Sequence, residues 1–172
     1  RAGEFYTPRA ITSFAVRHVD PHIDDIVADY ACGTGGFLVD ALKHLEVQLR
    51  DSDRDPIDQQ EIIQRSLIGG EFKPLPYMLC VTNLLLHGIK DPQIHFGDSL
   101  TEARIMDIPD DKFADCIVMN PPYGGVATDM DKDYFPANLR SSETADLFMA
   151  MIIARLREGG RAAVVLPDGF LF

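Results

Sequence analysis

No stretch of this chain approaches the ~20 consecutive apolar residues that a membrane-spanning helix requires, so the sequence offers no candidate span. Cysteine is scarce and unpatterned: Cys32, Cys80 and Cys116 show no CxxC spacing, and each sits in an apolar segment where Cys acts as a small hydrophobe. That usage indicates a reducing, cytoplasmic compartment. His18, His22, His44, His87 and His95 show no HExxH or other ligand spacing, so no metal site is expected. Positive charge is also short, with 16 Lys and Arg against 27 Asp and Glu for a net charge of -11. Because contacts from Lys and Arg to phosphate supply most non-specific nucleic-acid affinity, a free-standing nucleic-acid binder is disfavoured. If DNA is the substrate, another component grips it. The start, "RAGEFYTPR", lacks an initiator Met and a signal-peptide core, while the end, "VVLPDGFLF", is strongly apolar, so the chain reads as a fragment of a longer polypeptide.

What is present suits one soluble domain: 172 residues, 46% of them hydrophobic and 25% charged, enough to bury a core. No repeat or low-complexity segment interrupts it. The acidic stretches "RDSDRDPIDQQE" and "PDDKFAD" read as solvated loops or helix faces. Short apolar runs at residues 25–31, 66–71, 93–98, 114–120 and 161–167, most ending at a turn or acidic residue, predict five parallel strands. Between them, residues 36–49, 74–88 and 142–160 carry apolar residues at helical spacing. The last has Ser142 as a candidate cap, Arg155 and Arg157 late, and Gly159-Gly160 beyond. Such alternation predicts a doubly wound α/β fold with a mostly parallel sheet. The 19 residues 124–142 have little periodicity and predict a functional or merely exposed loop, in which Lys132 and Arg140 are candidate phosphate contacts.

In such sheets ligands bind beyond the carboxyl ends of the strands, so the strand endings belong together. The first leads into "DYACGTGGF", whose Gly33, Gly35 and Gly36 let backbone approach a ligand and open a helix. A plain tight turn is the competing reading. A dinucleotide fingerprint is disfavoured, because Leu38 replaces its third glycine and the next strand-ending acid lies 36 positions beyond Gly35 instead of ~20. That acid, Glu71, is placed to accept from ribose hydroxyls, or is an ordinary exposed Glu. Asp98 in "FGDS" can accept from an exocyclic adenine amine, with Phe72 stacking on the ring, or is a turn residue. The fourth strand ends in "NPPY".

The set "EFYTPR", "DYACGTGGF", "GGEF", "GDSL", "NPPYGG" and "GGRAAVVLPDG", in this order, resembles the modification subunit of type I restriction-modification systems, which are S-adenosyl-L-methionine-dependent N6-adenine DNA methyltransferases. The likeness covers nearly the whole chain, and "NPPY" and "FYTPR" are its most specific elements. It implies a class I S-adenosyl-L-methionine-dependent methyltransferase sheet, truncated after the fifth strand, with residues 1–172 as a catalytic domain. It implies that Glu4, Phe5, Tyr6, Thr7, Pro8 and Arg9 lie across the methionine end of the cofactor, which Asp29 and the backbone of Gly33, Thr34, Gly35 and Gly36 also hold. Glu71 would take the ribose, and Asp98 with Phe72 the adenine. The implied partners are DNA, a specificity subunit, a second modification subunit and a restriction subunit. One departure is Tyr30, where the family's "DPACGTGGF" has Pro.

The implied chemistry explains the doubled proline. The adenine N6 lone pair is delocalised into the ring, so a catalyst must localise it. If the Asn120 side-chain oxygen and the Pro121 carbonyl each accept one N6 proton, the nitrogen is biased towards tetrahedral geometry. Pro121 and Pro122 stiffen the turn, and Tyr123 offers a face to a base that has left the duplex. The same turn suits other planar nitrogens, such as RNA adenine or a protein glutamine. A non-catalytic cofactor-binding module is a further alternative.

Overall fold

Strands β1 (Val27–Asp29), β2 (Leu67–Glu71), β3 (Gln93–Phe96), β4 (Ala114–Met119) and β5 (Leu156–Val164) form one wholly parallel sheet in the order β3-β2-β1-β4-β5. The structure is a computed structural model describing residues 6–102, 104–107, 113–123 and 125–171. The order reverses between β1 and β4, and this topological switch point opens a crevice at the carboxyl ends of the strands.

Six helices are described: α1 (Arg9–Val19), α2 (Gly36–Arg50), α3 (Pro56–Ser66), α4 (Pro74–Leu86), α5 (Asp129–Asp133) and α6 (Thr144–Arg155). Residues alternate between the two faces of each strand, so Val27, Cys116 and Val118 join one apolar cluster while Ala28, Ile117 and Met119 join another. The first cluster is closed by α1, α2 and α4, the second by α6 with Ala127 and Phe135 from the segment after β4. Burial on both faces gives the near-continuous apolar runs seen in the sequence.

Several boundaries differ from the sequence-based expectation. β1 is three residues long, because the Asp29 carboxylate accepts the Ala31 N–H (3.2 Å) and turns the chain out of the ladder. Three helices, α1, α3 and α5, had no counterpart in the expected set. Pro8 starts α1, its carbonyl accepting from the N–H groups of Ile11 (2.9 Å) and Thr12 (3.2 Å), and Asp55 caps α3 ahead of Pro56. At α6 the cap residue is Glu143, not Ser142, and the Glu143 N–H is accepted by the Ser141 hydroxyl (3.1 Å). The helix ends at Arg155 and β5 begins at once. Its pairing with β4 then jumps from Leu156 to Arg161, so residues 157–160 bulge from the ladder, with Gly159 at φ +77°. The segment 124–142 is not featureless: Thr128 and Asp131 form a capping box on α5, and Val126 bridges to Glu143. Its two cations are engaged locally, Lys132 with Asp129 (3.4 Å) and Arg140 with Asp133 (3.7 Å).

Candidate functional site

The carboxyl ends of β1, β2, β3 and β4 surround a cavity of about 380 Å³, within the size range of small-molecule sites. From β1 and the turn beyond it come Asp29, Tyr30, Cys32, Gly33 and Thr34; from β2, Glu71, Phe72 and Lys73; from the exit of β3, Asp98 and Ser99. The whole turn after β4, Asn120, Pro121, Pro122 and Tyr123, faces the same space. Tyr6 and Thr7 close one side, and Gly36 lies at the base of the turn. Of the other expected residues, Pro8 and Arg9 belong to the start of α1 and do not line the cavity. Arg9 pairs instead with Asp40 on α2 (3.6 Å), which also accepts from the Thr12 hydroxyl (2.6 Å), pinning α1 to the first turns of α2. Gly35, the residue before α2, lies behind the lining. Glu4 and Phe5 lie outside the described residues.

The glycine turn is fixed by contacts distant in sequence. Gly35 sits at φ +83°, donates to the Cys32 carbonyl (2.8 Å), and would place a Cβ 2.8 Å from the Cys80 sulfur. Only glycine meets both the backbone and the packing demand. Cys80 also touches the Cys32 thiol (3.6 Å), and Asn83 on α4 donates to the Thr34 carbonyl (3.1 Å). Glu71 is buried and ties two segments together, accepting the Gly33 N–H at Oε2 (3.0 Å) and the Lys73 N–H at Oε1 (2.8 Å). Each oxygen keeps a lone pair for a ligand hydroxyl.

Asp29 is 1% exposed. Burial pushes its carboxyl up to about 8, with the Ala31 N–H opposing the rise and the nearby Glu71 adding to it. A neutral acid facing a cavity that also holds Glu71 and Asp98 suits a cationic ligand, whose charge would restore the carboxylate. The same lining opposes a pyrophosphate.

At the β4 exit, Asn120 Nδ2 donates to the Thr7 hydroxyl (3.0 Å). Its Oδ1 faces the Tyr123 hydroxyl, whose single proton is shared between that oxygen and the Val165 carbonyl beyond β5 (2.7 Å). Partial burial raises the Tyr123 phenol above its usual value and keeps it protonated, hence a donor. The carboxamide is thus oriented from both ends, with its oxygen held by a donor that a substrate amine can replace. Thr12, Lys73, Ser99 and Phe148 line the cavity as well. None stood out in the sequence, where Phe148 is one apolar residue of an amphipathic helix and Ser99 an ordinary turn residue.

Among curated proteins, the chain is 46% identical to the EcoEI methylase subunit of a type I restriction enzyme from Escherichia coli, over 99% of this chain and 34% of that protein. Among solved structures, it superposes with a TM-score of 0.87 and 41% identity on a modification subunit attributed to a type I restriction enzyme of Vibrio vulnificus YJ016, over 99% of this chain and 36% of that one. Against the EcoKI M protein the TM-score is 0.84 at 33% identity, over 98% of this chain and 35% of that one. The chain spans about a third of the length of these relatives, and its sheet is of the class I S-adenosylmethionine-dependent methyltransferase type. A family model described as N-6 DNA Methylase matches residues 1–172 throughout, and the chain belongs to that family.

Proposed function

We propose that these residues form the catalytic domain of a DNA methyltransferase that transfers a methyl group from S-adenosyl-L-methionine to the exocyclic N6 of adenine, within a type I restriction-modification system. The observation that carries the reading is the shared cavity: the Asn120–Tyr123 turn opens into the same space as Asp29, Glu71 and Asp98, across the topological switch point.

The residues fit the cofactor by charge and donor set. Asp29, the Gly33–Gly36 turn, Tyr6 and Thr7 would receive its methionine end, which carries an ammonium, a carboxylate and the sulfonium, Glu71 its ribose hydroxyls, and Asp98 with Phe72 its adenine. When bound, the cofactor supplies a methyl group on a positively charged sulfonium. The chain's own part is to bind and orient. Asn120 Oδ1 and the Pro121 carbonyl accept the two N6 protons of the target adenine, localising the nitrogen lone pair. Thr7 steadies the Asn120 amide by accepting from its Nδ2. The target amine takes the place of the Tyr123 hydroxyl at Asn120 Oδ1, while that hydroxyl keeps the Val165 carbonyl and the ring offers its face to the extruded base, a contact worth roughly 1–3 kcal/mol. Positioning and electrostatics supply most of the barrier lowering in this scheme.

A chain at net charge -11 lacks a phosphate-binding footprint. The reading accordingly assigns the grip on DNA to an assembly with a specificity subunit, a second modification subunit and a restriction subunit, in the cytoplasm, where the three free thiols stay reduced. Among the described residues, no helix is long and apolar enough to cross a membrane. The test is transfer of isotopically labelled methyl by the intact polypeptide, with and without its specificity partner, followed by nucleoside analysis. N6-methyladenine in DNA, formed only with the partner, is the expected product. Label in RNA or protein instead would overturn the assignment.

A further inference from the structure

Arg155 closes α6 and is 1% exposed, the largest fully buried side chain among the described residues. None of its described partners belongs to its own helix. Nη1 pairs with Glu102 (3.1 Å), Nη2 donates to the Ser99 carbonyl (3.2 Å), and the guanidinium lies over the Tyr30 ring at 4.5 Å. Nε has no partner. Stability alone is a weak account of such a group, because replacing a buried ion pair with apolar residues is often neutral or stabilising.

The partners point to the cavity. Ser99 donates to the Tyr30 carbonyl (2.7 Å) and packs on Gly70, where a Cβ would stand 2.3 Å from the serine oxygen. The exits of β1, β2 and β3 are thus held together at Ser99, with Arg155 clamping the set from α6. The preceding residue, Asp98, is shaped by this turn: its Oδ1 accepts the Leu100 N–H (3.0 Å) and its carbonyl the Thr101 N–H (3.1 Å). Tyr30, the platform for the guanidinium, stands where the family motif has Pro.

We infer that Arg155 is a positioning residue for the adenine subsite: by fixing the Ser99 turn against Tyr30 it aims the Asp98 carboxylate at the exocyclic amine of the cofactor's adenine. The inference rests on the proposed assignment of Asp98. Because Arg presents a planar fork and stacks on aromatic rings, Lys cannot replace it fully.

The test compares binding of S-adenosylhomocysteine and S-inosylhomocysteine to the intact polypeptide by calorimetry. The inosyl ligand replaces the exocyclic amine with a carbonyl and carries a proton on N1, a change that the Asp98→Asn comparison controls for. The wild type should prefer the adenosyl ligand by about tenfold or more, the value of one charge-assisted hydrogen bond, and Asp98→Asn should erase the preference. Arg155→Met combined with Glu102→Gln, which removes both charges of the buried pair together, should cut the preference to about twofold while the affinity for the inosyl ligand holds. Arg155→Lys, which keeps the Glu102 pair, should fall between and serves if the double variant fails to fold. In the Asp98→Asn background the Arg155 changes should leave the ratio unaltered. If the wild type shows no preference, the Asp98 assignment falls and the inference with it. If the wild type discriminates and the Arg155 variants discriminate equally well, or lose both ligands in proportion, Arg155 is structural and the inference alone is overturned.

Discussion

Replacing Asp29 with Asn should abolish a proton release that accompanies cofactor binding. The Asp29 carboxyl stands at about 8 in the ligand-free chain, raised chiefly by burial. One unit below that value, at pH 7, roughly 0.9 of the molecules carry the proton. A ligand bearing an ammonium and a sulfonium supplies the positive charge that the site lacks, so binding should ionise Asp29 and release close to one proton. Calorimetry at pH 7 in buffers of different ionisation enthalpy reads that number directly. By linkage, affinity should tighten about tenfold between pH 6 and pH 7, while the ligand's own amine remains protonated. Asp29→Asn should bind with buffer-independent heat and lose the pH dependence over that window. The same shift has a sign for stability. The acid binds its proton more tightly folded than unfolded, so its contribution is full below 3.8 and is lost as pH rises through about 8, at up to ~1.4 kcal/mol per unit. Zero proton release by the wild type at pH 7 would refute the reasoning.

Two further substitutions separate binding from chemistry. Glu71→Ala removes the proposed ribose acceptor and also strands the Gly33 and Lys73 N–H groups, so cofactor affinity should fall about 10- to 100-fold in calorimetry; unchanged affinity would remove the ribose assignment. Thr7→Val deletes the acceptor that orients the Asn120 amide, so the methyl-transfer rate should fall about tenfold with Thr7→Ser restoring it, and an unimpaired Thr7→Val would separate the two residues.

The strand endings were legible because each carries its own local signal: a glycine turn after Asp29, Glu71 closing β2, Asp98 after β3 and the doubled proline after Met119. The doubly wound sheet followed from apolar runs alternating with helical periodicity. What the sequence hid are contacts between distant segments. Arg155 reads as a cation suited to the exposed end of a helix, yet it is buried against Ser99 and Glu102, 56 and 53 residues away. Cys80 and Asn83 read as ordinary members of an apolar helix, but they set the glycine turn nearly 50 residues earlier. The start of β5 was obscured because α6 passes into it without a turn, while Gly159-Gly160, read as a helix stop, marks a bulge. The role of Tyr123 was visible only in part, since its hydroxyl reaches both Asn120 and the residue after β5.

The central claim is that the Asn120 carboxamide is a catalytic acceptor, and Asn120→Ala tests it most directly, in the intact polypeptide assembled with its specificity partner. Removing a preorganised polar group of this kind costs on the order of 10²-fold or more in rate. Single-turnover methyl transfer should fall by that factor, while cofactor and DNA affinities, measured alongside, change by less than about threefold. Transfer by Asn120→Ala at the wild-type rate would contradict the account.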